Sequence, residues 1–364
     1  MSSWYTIENA ATLPTPALAV YPERIKENIR RMISVAGGVK RLRPHVKTHK
    51  LAEIVGMQLD AGITKFKCAT LAEAEMLAGC FAPDVLLAYP LVGPHVERFV
   101  RLVGRFQPTH FSTIADDAGA IRRLAQAAAA AGQTIAVYLD LDAGMGRTGI
   151  APDDPRAIEL YRLLCELPGV SAAGLHVYDG QIRDESSAAR SAAAEAAFAP
   201  VEMLHAELRR QNLPVPSLVV GGTPTFPIHA RRGSAECSPG TMLLWDAGYS
   251  ERYADLNFLH AAVLLTRVVS KPAGDRLTLD LGYKAVSPDS PPPRCRVLEL
   301  PEAAFVMHSE EHLTLATPRA STFAVGDLMH AIPLHVCPTV ALHAEVLVVE
   351  AARVGRRWRV ARER

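Results

Sequence analysis

Short apolar runs alternate with helical patterns through the first two thirds of the chain. Two examples are "KFKCAT" (65–70) before "LAEAEMLAGC" (71–80), and "TIAVYLDLD" (134–142) before a helical stretch that starts near Asp153. A strand followed by a helix before the next strand predicts a parallel sheet. About eight such units in roughly 230 residues fit a (β/α)8 barrel of the TIM type better than an open sheet.

The pattern changes after residue 245. Short β-like runs such as "DRLTLDLG" (275–282) and "HAEVLVVE" (343–350) follow one another, separated by Gly, Pro and Asp. Such runs predict an antiparallel β domain. We therefore expect an α/β barrel over 14–244, with "PALAVY" (16–21) as its first strand. The β domain would take up 245–364, and residues 1–13 could pack on either part.

Charge and composition restrict the function classes. The 39 Lys and Arg residues nearly balance the 38 Asp and Glu residues, so charge gives no general case for binding nucleic acid or a membrane surface. The sequence contains no uncharged apolar run of 18 residues, so it predicts no transmembrane helix. The first residues do not resemble a signal peptide. The six cysteines form no CxxC pair, which favours reduced thiols and a cytoplasmic protein.

The run "KRLRPHVKTHK" (40–50) holds five Lys or Arg and two His in a nearly neutral chain. In extended geometry Arg43, His45 and Lys47 share one face. The next residues look like a turn that enters a helix, so Lys47 would end a barrel strand, where barrel enzymes place their chemistry. A solvated basic edge is one alternative. A phosphate or nucleic-acid patch is another, with little aromatic interleaving to support it.

A reactive lysine would explain this clustering. Nearby cations disfavour the ammonium form of a lysine. The uncharged amine can form a Schiff base with a carbonyl substrate or with pyridoxal phosphate (PLP). This requirement gives a reason for placing Arg43, His45 and His49 around Lys47.

Two turns of small residues suggest a phosphate site. "LVVGGTPTF" (218–226) ends an apolar run in a Gly-Gly turn, and "CSPGTM" (237–242) forms the second turn. Glycine lets the backbone approach an anion, and Thr223 and Thr225 can add hydroxyl donors. The turns would follow barrel strands 7 and 8, a recurrent phosphate position. Ordinary tight turns are the alternative, and no GxGxxG or GxxxxGK[ST] motif favours a dinucleotide or P-loop site.

Arg147 lies in a Gly-rich loop within "VYLDLDAGMGRTGI" (137–150). An arginine after a strand is usually a surface or ion-pair residue. Here Asp140, Asp142 and three glycines favour an arginine that is held in a tight polar setting. We therefore treat Arg147 as a candidate site residue.

His335 and Cys337 are two residues apart in "IPLHVCPTVALH" (332–343), which we interpret as a strand with both side chains on one face. Imidazole and thiolate together suit Zn²⁺. Two ligands leave positions open for water or substrate, as in a catalytic site. A buried cysteine beside a histidine with its own partner is the alternative. Side chains that hydrogen-bond to the two ligands and orient them could come from a neighbouring β-like run: His308, Glu310, Glu311 and His312.

These segments together resemble the D-threonine aldolase and D-serine dehydratase family over nearly the whole chain. The matching stretches, in order, are "TPALAV" (15–20), "RPHVKTHK" (43–50), "CATLAEAEML" (68–77), "DVLLAYPLVGP" (84–94), "GMGRTG" (144–149), "GLHVYDG" (174–180), "GGTPTF" (221–226), "SPGT" (238–241), "HSEEH" (308–312) and "HVCPTV" (335–340). The lysine segment and the His-x-Cys segment together are highly specific.

The resemblance implies an alanine racemase-like PLP enzyme, a homodimer that acts on a small D-3-hydroxy amino acid. It implies that Lys47 is the Schiff-base lysine, that Arg147 faces the ring nitrogen of PLP and that Tyr178 lies near the ring. His335 and Cys337 would bind divalent zinc, manganese or magnesium. The phosphate of PLP would be held by Gly222, Thr223, Gly240 and Thr241.

The family divides between two reactions. Retro-aldol cleavage gives glycine and an aldehyde, whereas β-elimination gives a keto acid and ammonia. The segments expected around PLP resemble aldolases most closely. The cysteine in His-x-Cys is typical of dehydratases, and Asp179 stands where an aldolase pattern has histidine. We expect a D-threonine aldolase, with a D-serine or D-3-hydroxyaspartate dehydratase as the alternative. An amino-acid racemase is less favoured, because it would need Tyr249 or Tyr283 as a second acid or base and no metal pair.

Overall fold

The computed structural model describes residues 3–233 and 235–362. They form two compact units. The unit called here the barrel unit consists of Met32–Lys47 and Val55–Gly240. The other, the β unit, consists of Thr48–Ile54, Thr241–Arg362 and the start of the chain up to Arg31. The predicted outer limits of the β domain, residues 1 and 364, lie outside the described residues.

Sixteen strands and ten helices are assigned within the described residues. The strands are β1 (Ala17–Val20), β2 (Lys65–Cys68), β3 (Asp84–Leu87), β4 (His110–Ala115), β5 (Ile135–Asp142), β6 (Val170–Tyr178), β7 (Ser217–Val220), β8 (Ala235–Cys237), β9 (Ala262–Ser270), β10 (Arg276–Leu279), β11 (Cys295–Val297), β12 (Ala304–His308), β13 (Leu313–Ala316), β14 (Leu328–Pro333), β15 (Glu345–Glu350) and β16 (Arg353–Arg359). The helices are α1 (Pro22–Ala36), α2 (Ala52–Asp60), α3 (Leu71–Gly79), α4 (His95–Arg105), α5 (Ala118–Ala130), α6 (Arg156–Glu166), α7 (Ser187–Arg210), α8 (Phe226–His229), α9 (Ala247–Arg252) and α10 (Val336–Leu342).

The barrel unit contains a parallel sheet in which β2 to β8 lie side by side in sequence order. Its strands are covered on both faces, as the nearly complete burial of β5 shows. The helices between strands begin at ordinary capping residues. Thr70 accepts a hydrogen bond from the first turn of α3, and Asp117 does the same for α5. The predicted βα alternation is therefore confirmed for this unit.

The basic run closes the sheet. Leu42 forms a parallel bridge with Cys237 in β8, and His45 forms one with Lys67 in β2. The backbone N–H of Arg43 donates to the carbonyl of Cys237, and the N–H of Lys67 donates to the carbonyl of Pro44. Proline has no N–H to donate, which limits the pairing of this segment to isolated bridges. The predicted eighth position of the barrel is thus filled by 42–45.

The β unit contains a second sheet, with strand order β12-β13-β10-β9-β1-β15-β16, in which β14 pairs with β9 and β11 pairs with β14. The pairs are antiparallel except for β1 with β15. The prediction that "PALAVY" is a barrel strand is wrong, because β1 lies between β9 and β15 in this sheet. An apolar strand that precedes a helix has the same pattern in either sheet.

The prediction of a strand around His335 is also wrong. His335 precedes α10, and Cys337 lies in the first turn of that helix. Pro338 follows, and its fixed φ and missing N–H suit a first helical turn but not a strand ladder. The carboxylate of Asp246 accepts a hydrogen bond from the N–H of Val336 at 3.0 Å, which satisfies one free donor at the helix start. Among the described residues, no helix combines the length and hydropathy needed to cross a membrane.

Candidate active site

Lys47 lies in a short 3-10 turn, Val46–Thr48, directly after the closing segment of the barrel. Its side chain is half-buried, and its Nζ lies 5.6 Å from the centroid of the Tyr178 ring. Its backbone N–H donates to Nδ1 of His45 at 3.3 Å. The structure therefore places the predicted lysine at the C-terminal end of the barrel strands, beside the predicted tyrosine.

Arg147 lies against the same aromatic ring. Its Cζ is 5.0 Å from the Tyr178 centroid. The loop that carries it is held by Asp142, whose carboxylate accepts hydrogen bonds from the N–H groups of Gly144 and Gly146 at 2.9 and 3.0 Å. Arg147 itself is exposed, so the predicted tight polar setting applies to the loop backbone and not to the guanidinium. Lys47, Arg147 and Tyr178 are brought together, as the resemblance implied.

A buried polar chain crosses the barrel interior near this group. Nζ of Lys67 lies 3.5 Å from Nε2 of His176, and Nδ1 of His176 lies 2.7 Å from Oδ1 of Asp140. Burial, followed by the positive charge of Lys47, lowers the pKa of the Lys67 amine to about 7. Burial also lowers the pKa of His176, although the Asp140 carboxylate opposes this shift. The sequence analysis did not identify this chain.

The cations that the sequence analysis expected around Lys47 are arranged differently. The Arg43 guanidinium bonds to the carboxylates of Asp84, at 2.6 Å, and Glu236, at 2.8 Å. Burial opposes its charge, but these two carboxylates keep the pKa of Arg43 above its ordinary value. His49 belongs to the β unit, where its Nδ1 accepts the N–H of Leu51. Arg43 is thus paired with carboxylates, whereas Nε2 of His49 is buried without a hydrogen-bond partner among the described residues. The clustering of Arg43 and His49 around Lys47 stays a prediction.

The Gly-Gly turn is organised by Asp179. Its carboxylate accepts hydrogen bonds from the N–H of Gly222 at 3.1 Å and the hydroxyl of Thr225 at 2.8 Å. The imidazole of His229 lies 2.7 Å from its other oxygen. Gly222 packs closely on the tyrosine, since a Cβ atom at this position would lie 3.1 Å from the ring of Tyr178. The turn is thus fixed beside the aromatic ring.

The second small turn lies next to it in the barrel unit. The N–H of Gly240 donates to the hydroxyl of Thr223 at 3.2 Å, which brings two of the predicted phosphate residues together. The hydroxyl of Ser238 is buried and has no hydrogen-bond partner among the described residues. Thr241 differs, because its hydroxyl lies 3.5 Å from Sγ of Cys337 within the β unit.

His335 and Cys337 lie side by side although they are not on a strand. Sγ of Cys337 lies 3.1 Å from the hydroxyl of Thr48, and Nδ1 of His335 lies 2.5 Å from Oδ2 of Asp289. Burial acts to lower the pKa of His335. The hydrogen bond to Cys337 and the Asp289 carboxylate outweigh it and raise that pKa to about 9. The imidazole and the sulfur are thus close enough to bind one ion.

Three of the four side chains that the sequence analysis expected to support this metal pair have other partners. His308 bonds to Arg294 at 3.0 Å and to the carbonyl of Leu281 at 3.0 Å. Glu310 and Glu311 form ion pairs with Lys284 at the surface. Within 3–233 and 235–362, no group of three or more His, Cys, Asp or Glu side chains is arranged to hold a metal ion. These contacts give no support to the expectation that the 308–312 run supports the pair, which stays a prediction.

The two tyrosines named for a racemase take part in aromatic packing. Tyr249 lies 5.7 Å from Trp245 and 5.4 Å from Tyr253, measured between ring centroids. The ring of Tyr283 meets His308 edge-on at 6.1 Å.

Sequence reasoning missed Lys67, His176 and Asp289, and it noted Asp179 only as a departure from an aldolase pattern. Lys67 gave no usable signal, because it alternates with Lys65 in "KFKC" (65–68), the pattern that an exposed strand face also has. His176 and Asp140 did have a signal, because each is a polar residue near the end of a largely apolar β-like run, where a buried polar group requires a partner. Asp289 had none, since it lies in a Pro-rich loop far from His335 in the chain.

Family comparison gives the site its context. A family model described as "Alanine racemase, N-terminal domain" matches residues 20–247. The chain belongs to this family. A second model, "Putative serine dehydratase domain", matches residues 261–349, and the fold of this family member is alanine racemase-like.

The similarity to known proteins extends over nearly the whole chain. The D-threonine aldolase of Arthrobacter sp is 29% identical over 96% of this chain and 93% of that protein. The D-threo-3-hydroxyaspartate dehydratase of Delftia sp. (strain HT23) is 27% identical over 90% of this chain and 92% of that protein. The crystal structure of D-threonine aldolase from Filomicrobium marinum is 29% identical and has a TM-score of 0.90, covering 99% of this chain and 98% of that chain. This family member is a PLP-dependent lyase.

Proposed function

We propose that the protein is a D-threonine aldolase, which cleaves D-3-hydroxy amino acids to glycine and an aldehyde. The observation that carries the proposal is the arrangement of Lys47 and Arg147 on the ring of Tyr178. The full-length similarity to D-threonine aldolases supports it. The preference for D substrates rests on that similarity alone.

The residues in the barrel unit fit PLP. Lys47 supplies an amine, and Arg147 supplies a cation at the same aromatic face. The buried hydroxyl of Ser238, without a partner among the described residues, is a donor suited to a phosphate oxygen. The absence of a side chain at Gly222 leaves room beside Tyr178. Lys47 would bond the cofactor's aldehyde, and three residues of the barrel unit would hold the phosphate: Gly222, Thr223 and Gly240.

PLP, once bound, supplies an electron sink for the pair of electrons released when a bond to Cα breaks. The chain's own residues would orient the reactants. Tyr178 would hold the bound ring in place, and Arg147 would supply a positive charge for the ring nitrogen. Lys47 would hold or move a proton at Cα.

His335 and Cys337 fit a divalent ion by their chemistry, since an imidazole nitrogen and a sulfur lie beside each other. An ion there would act as a Lewis acid toward the β-hydroxyl of the substrate. Asp289 would orient His335 by accepting the Nδ1 proton, which leaves Nε2 for the ion. The thiolate favours zinc over manganese or magnesium.

A D-serine or D-3-hydroxyaspartate dehydratase is the second candidate. Two observations favour it: the thiolate of Cys337, which the resemblance associates with dehydratases, and the full-length similarity to the D-threo-3-hydroxyaspartate dehydratase of Delftia sp.. Both reactions need the same lysine and ion. They differ in whether the Cα–Cβ bond or the bond from Cβ to the hydroxyl oxygen breaks.

Product analysis separates the candidates. The PLP- and zinc-loaded protein is incubated with D-threonine, D-serine and D-3-hydroxyaspartate, and the products are identified by mass spectrometry. We expect glycine with the matching aldehyde. A keto acid with ammonia would instead establish the dehydratase, and conversion only to the L enantiomer would establish a racemase.

We also propose, from the family resemblance, that the protein is a homodimer. Light scattering of the eluted protein would give twice the mass of the 39.3 kDa chain. A mass equal to one chain would contradict this part of the proposal.

A further inference from the structure

The segment that carries the proposed metal pair is held by its backbone as well as by side-chain contacts. The residue between the two ligands, Val336, donates its N–H to Oδ2 of Asp246 at 3.0 Å. On the other side of His335, the carbonyl of Leu334 accepts the N–H of Gly248 at 3.1 Å. Asp246 and Gly248 both belong to the start of α9. One short stretch of chain thus holds the backbone on both sides of the histidine.

The contact between α9 and this segment is close. A Cβ atom at position 248 would lie 2.4 Å from the carbonyl oxygen of Leu334, so the absence of a side chain at Gly248 makes the approach possible. A further bond fixes the next carbonyl, because the hydroxyl of Thr339 donates to the carbonyl of His335 at 2.8 Å. Hydrogen bonds within the β unit therefore fix the backbone that carries the imidazole.

The carboxylate of Asp246 is buried, with 1% of the residue exposed. Its second oxygen accepts the N–H of Tyr249 at 2.9 Å, which caps α9. The exposed Asp117 caps α5 by the same kind of bond, so capping alone does not require a buried carboxylate. A buried carboxylate is costly unless positive charge lies near it. The charged side chains whose fields act on it are His335 and Asp289, so an ion bound by the histidine would supply such a charge.

We propose that Asp246 is a positioning residue, which holds the backbone between His335 and Cys337 so that the imidazole and the sulfur converge on one divalent ion. The inference rests on the proposed function, because it takes these two residues as the metal ligands. Asp289 bonds the imidazole alone. Asp246 bonds the backbone between the ligands, so it acts on both of them. Groups that orient metal ligands raise the affinity for the ion because the site is ordered before binding.

The test compares two variants of the PLP-loaded protein. Asp246→Ser keeps an oxygen that can cap α9, but its shorter side chain loses the bond to Val336. Asp246→Asn keeps the shape, but its single amide oxygen can accept only one of the two N–H groups. Asp117→Asn is the matched control, because Asp117 caps a helix without bonding the ligand segment. Circular dichroism establishes that each variant is folded.

Two measurements are made on each protein. Competition with a chelator gives the zinc affinity, which should fall about 10- to 100-fold in Asp246→Ser and about tenfold in Asp246→Asn. Saturating Co²⁺ gives an absorption band from the bond between sulfur and cobalt, and this band should weaken in both variants. A loss of stability alone would not weaken the band of a folded, saturated protein. The control should keep the wild-type affinity and band.

Three results would overturn the inference. Wild-type zinc affinity in Asp246→Ser would show that the bond to Val336 does not position the ligands. A full sulfur-to-cobalt band in both variants would show that the ligands converge without Asp246. An equal loss in Asp117→Asn would assign the effect to helix capping. Failure of the proposed function looks different, because wild-type protein would then show no sulfur-to-cobalt band, or the same spectrum as Cys337→Ser.

Discussion

The barrel interior contains two buried polar clusters that differ in how completely their charges are paired. Near the start of the strands, the Arg43 guanidinium makes a two-point contact with Asp84 at 2.6 and 3.0 Å and a further bond to Glu236. Lys65 also pairs with Glu236. Every charge in this cluster faces an opposite charge.

The second cluster lies nearer the end of the strands. It contains Lys67, His176 and Asp140, and one carboxylate oxygen has no hydrogen-bond partner in the described part of the chain. Burial keeps the pKa of its amine low, whereas the pKa of Arg43 is raised by its partners. A fully paired cluster supports folding, and an incompletely paired one indicates a function that outweighs its effect on stability.

The largest expected effect concerns Lys47, at the C-terminal end of the barrel strands. Lys47→Ala should reduce lyase activity by at least ~10³-fold, because the amine proposed to bond PLP is gone, while the unfolding midpoint in urea stays near that of the wild type. Lys40→Ala is the control, since Lys40 belongs to the same basic run but is exposed. Equal activity losses in the two variants would remove the special role of position 47.

At the first cluster, Arg43→Met should lower the free energy of unfolding by about 3 to 5 kcal/mol, because it leaves Asp84 and Glu236 as partly buried carboxylates without their common partner. Urea unfolding followed by circular dichroism measures this loss. Arg30→Met, which breaks an exposed pair with Glu27, should cause no measurable change. A similarly small change in Arg43→Met would show that the first cluster does not stabilise the barrel.

Lys67→Met should instead raise the free energy of unfolding. The pKa of Lys67 is lowered from its ordinary value of 10.5 to about 7 in the folded protein, so the unfolded chain binds more protons between these pH values. The stability of the wild type therefore rises with pH in this window. The variant should be more stable by ~2 to 4 kcal/mol at pH 7, and the gain should shrink toward pH 10. Urea unfolding at pH 7 and pH 9.5 measures this gain in stability. A gain independent of pH would contradict the lowered pKa of Lys67.

The smallest expected effect extends the comparison to a carboxylate outside the barrel. Asp289→Asn should weaken zinc binding by about 10- to 100-fold, because the amide no longer orients His335 as the carboxylate does. Competition with a chelator measures the affinity, and His335→Ala marks the complete loss of binding. The exposed Asp275→Asn serves as the control. Unchanged affinity in Asp289→Asn would limit Asp289 to a structural contact.

The fold was largely predictable because strand and helix alternate in the barrel unit and short strands follow one another in the β unit. The exceptions have physical causes. The run that forms β1 is apolar on both faces, and the strands it pairs with lie hundreds of residues away in the chain, so local pattern cannot select its sheet. The segment after His335 contains Pro338, a signal for a helix start that outweighs the spacing of its neighbours.

The site was predictable only where short motifs fix local geometry. Lys47, Tyr178 and Arg147 come together as the resemblance implied. Lys67 was not predictable in the same way, because both faces of a barrel strand are buried and alternation does not reveal which face points inward. Its contact with His176 depends on the closure of the sheet, which no local pattern contains.

Borohydride reduction of the PLP-loaded protein, followed by peptide mass mapping, tests the central claim most directly. Reduction fixes PLP permanently to the lysine that bears it. We predict a pyridoxyl group on Lys47 and none on Lys67, a buried amine of the same barrel unit. A pyridoxyl group on Lys67, or on no lysine of the barrel unit, would contradict the assignment of Lys47.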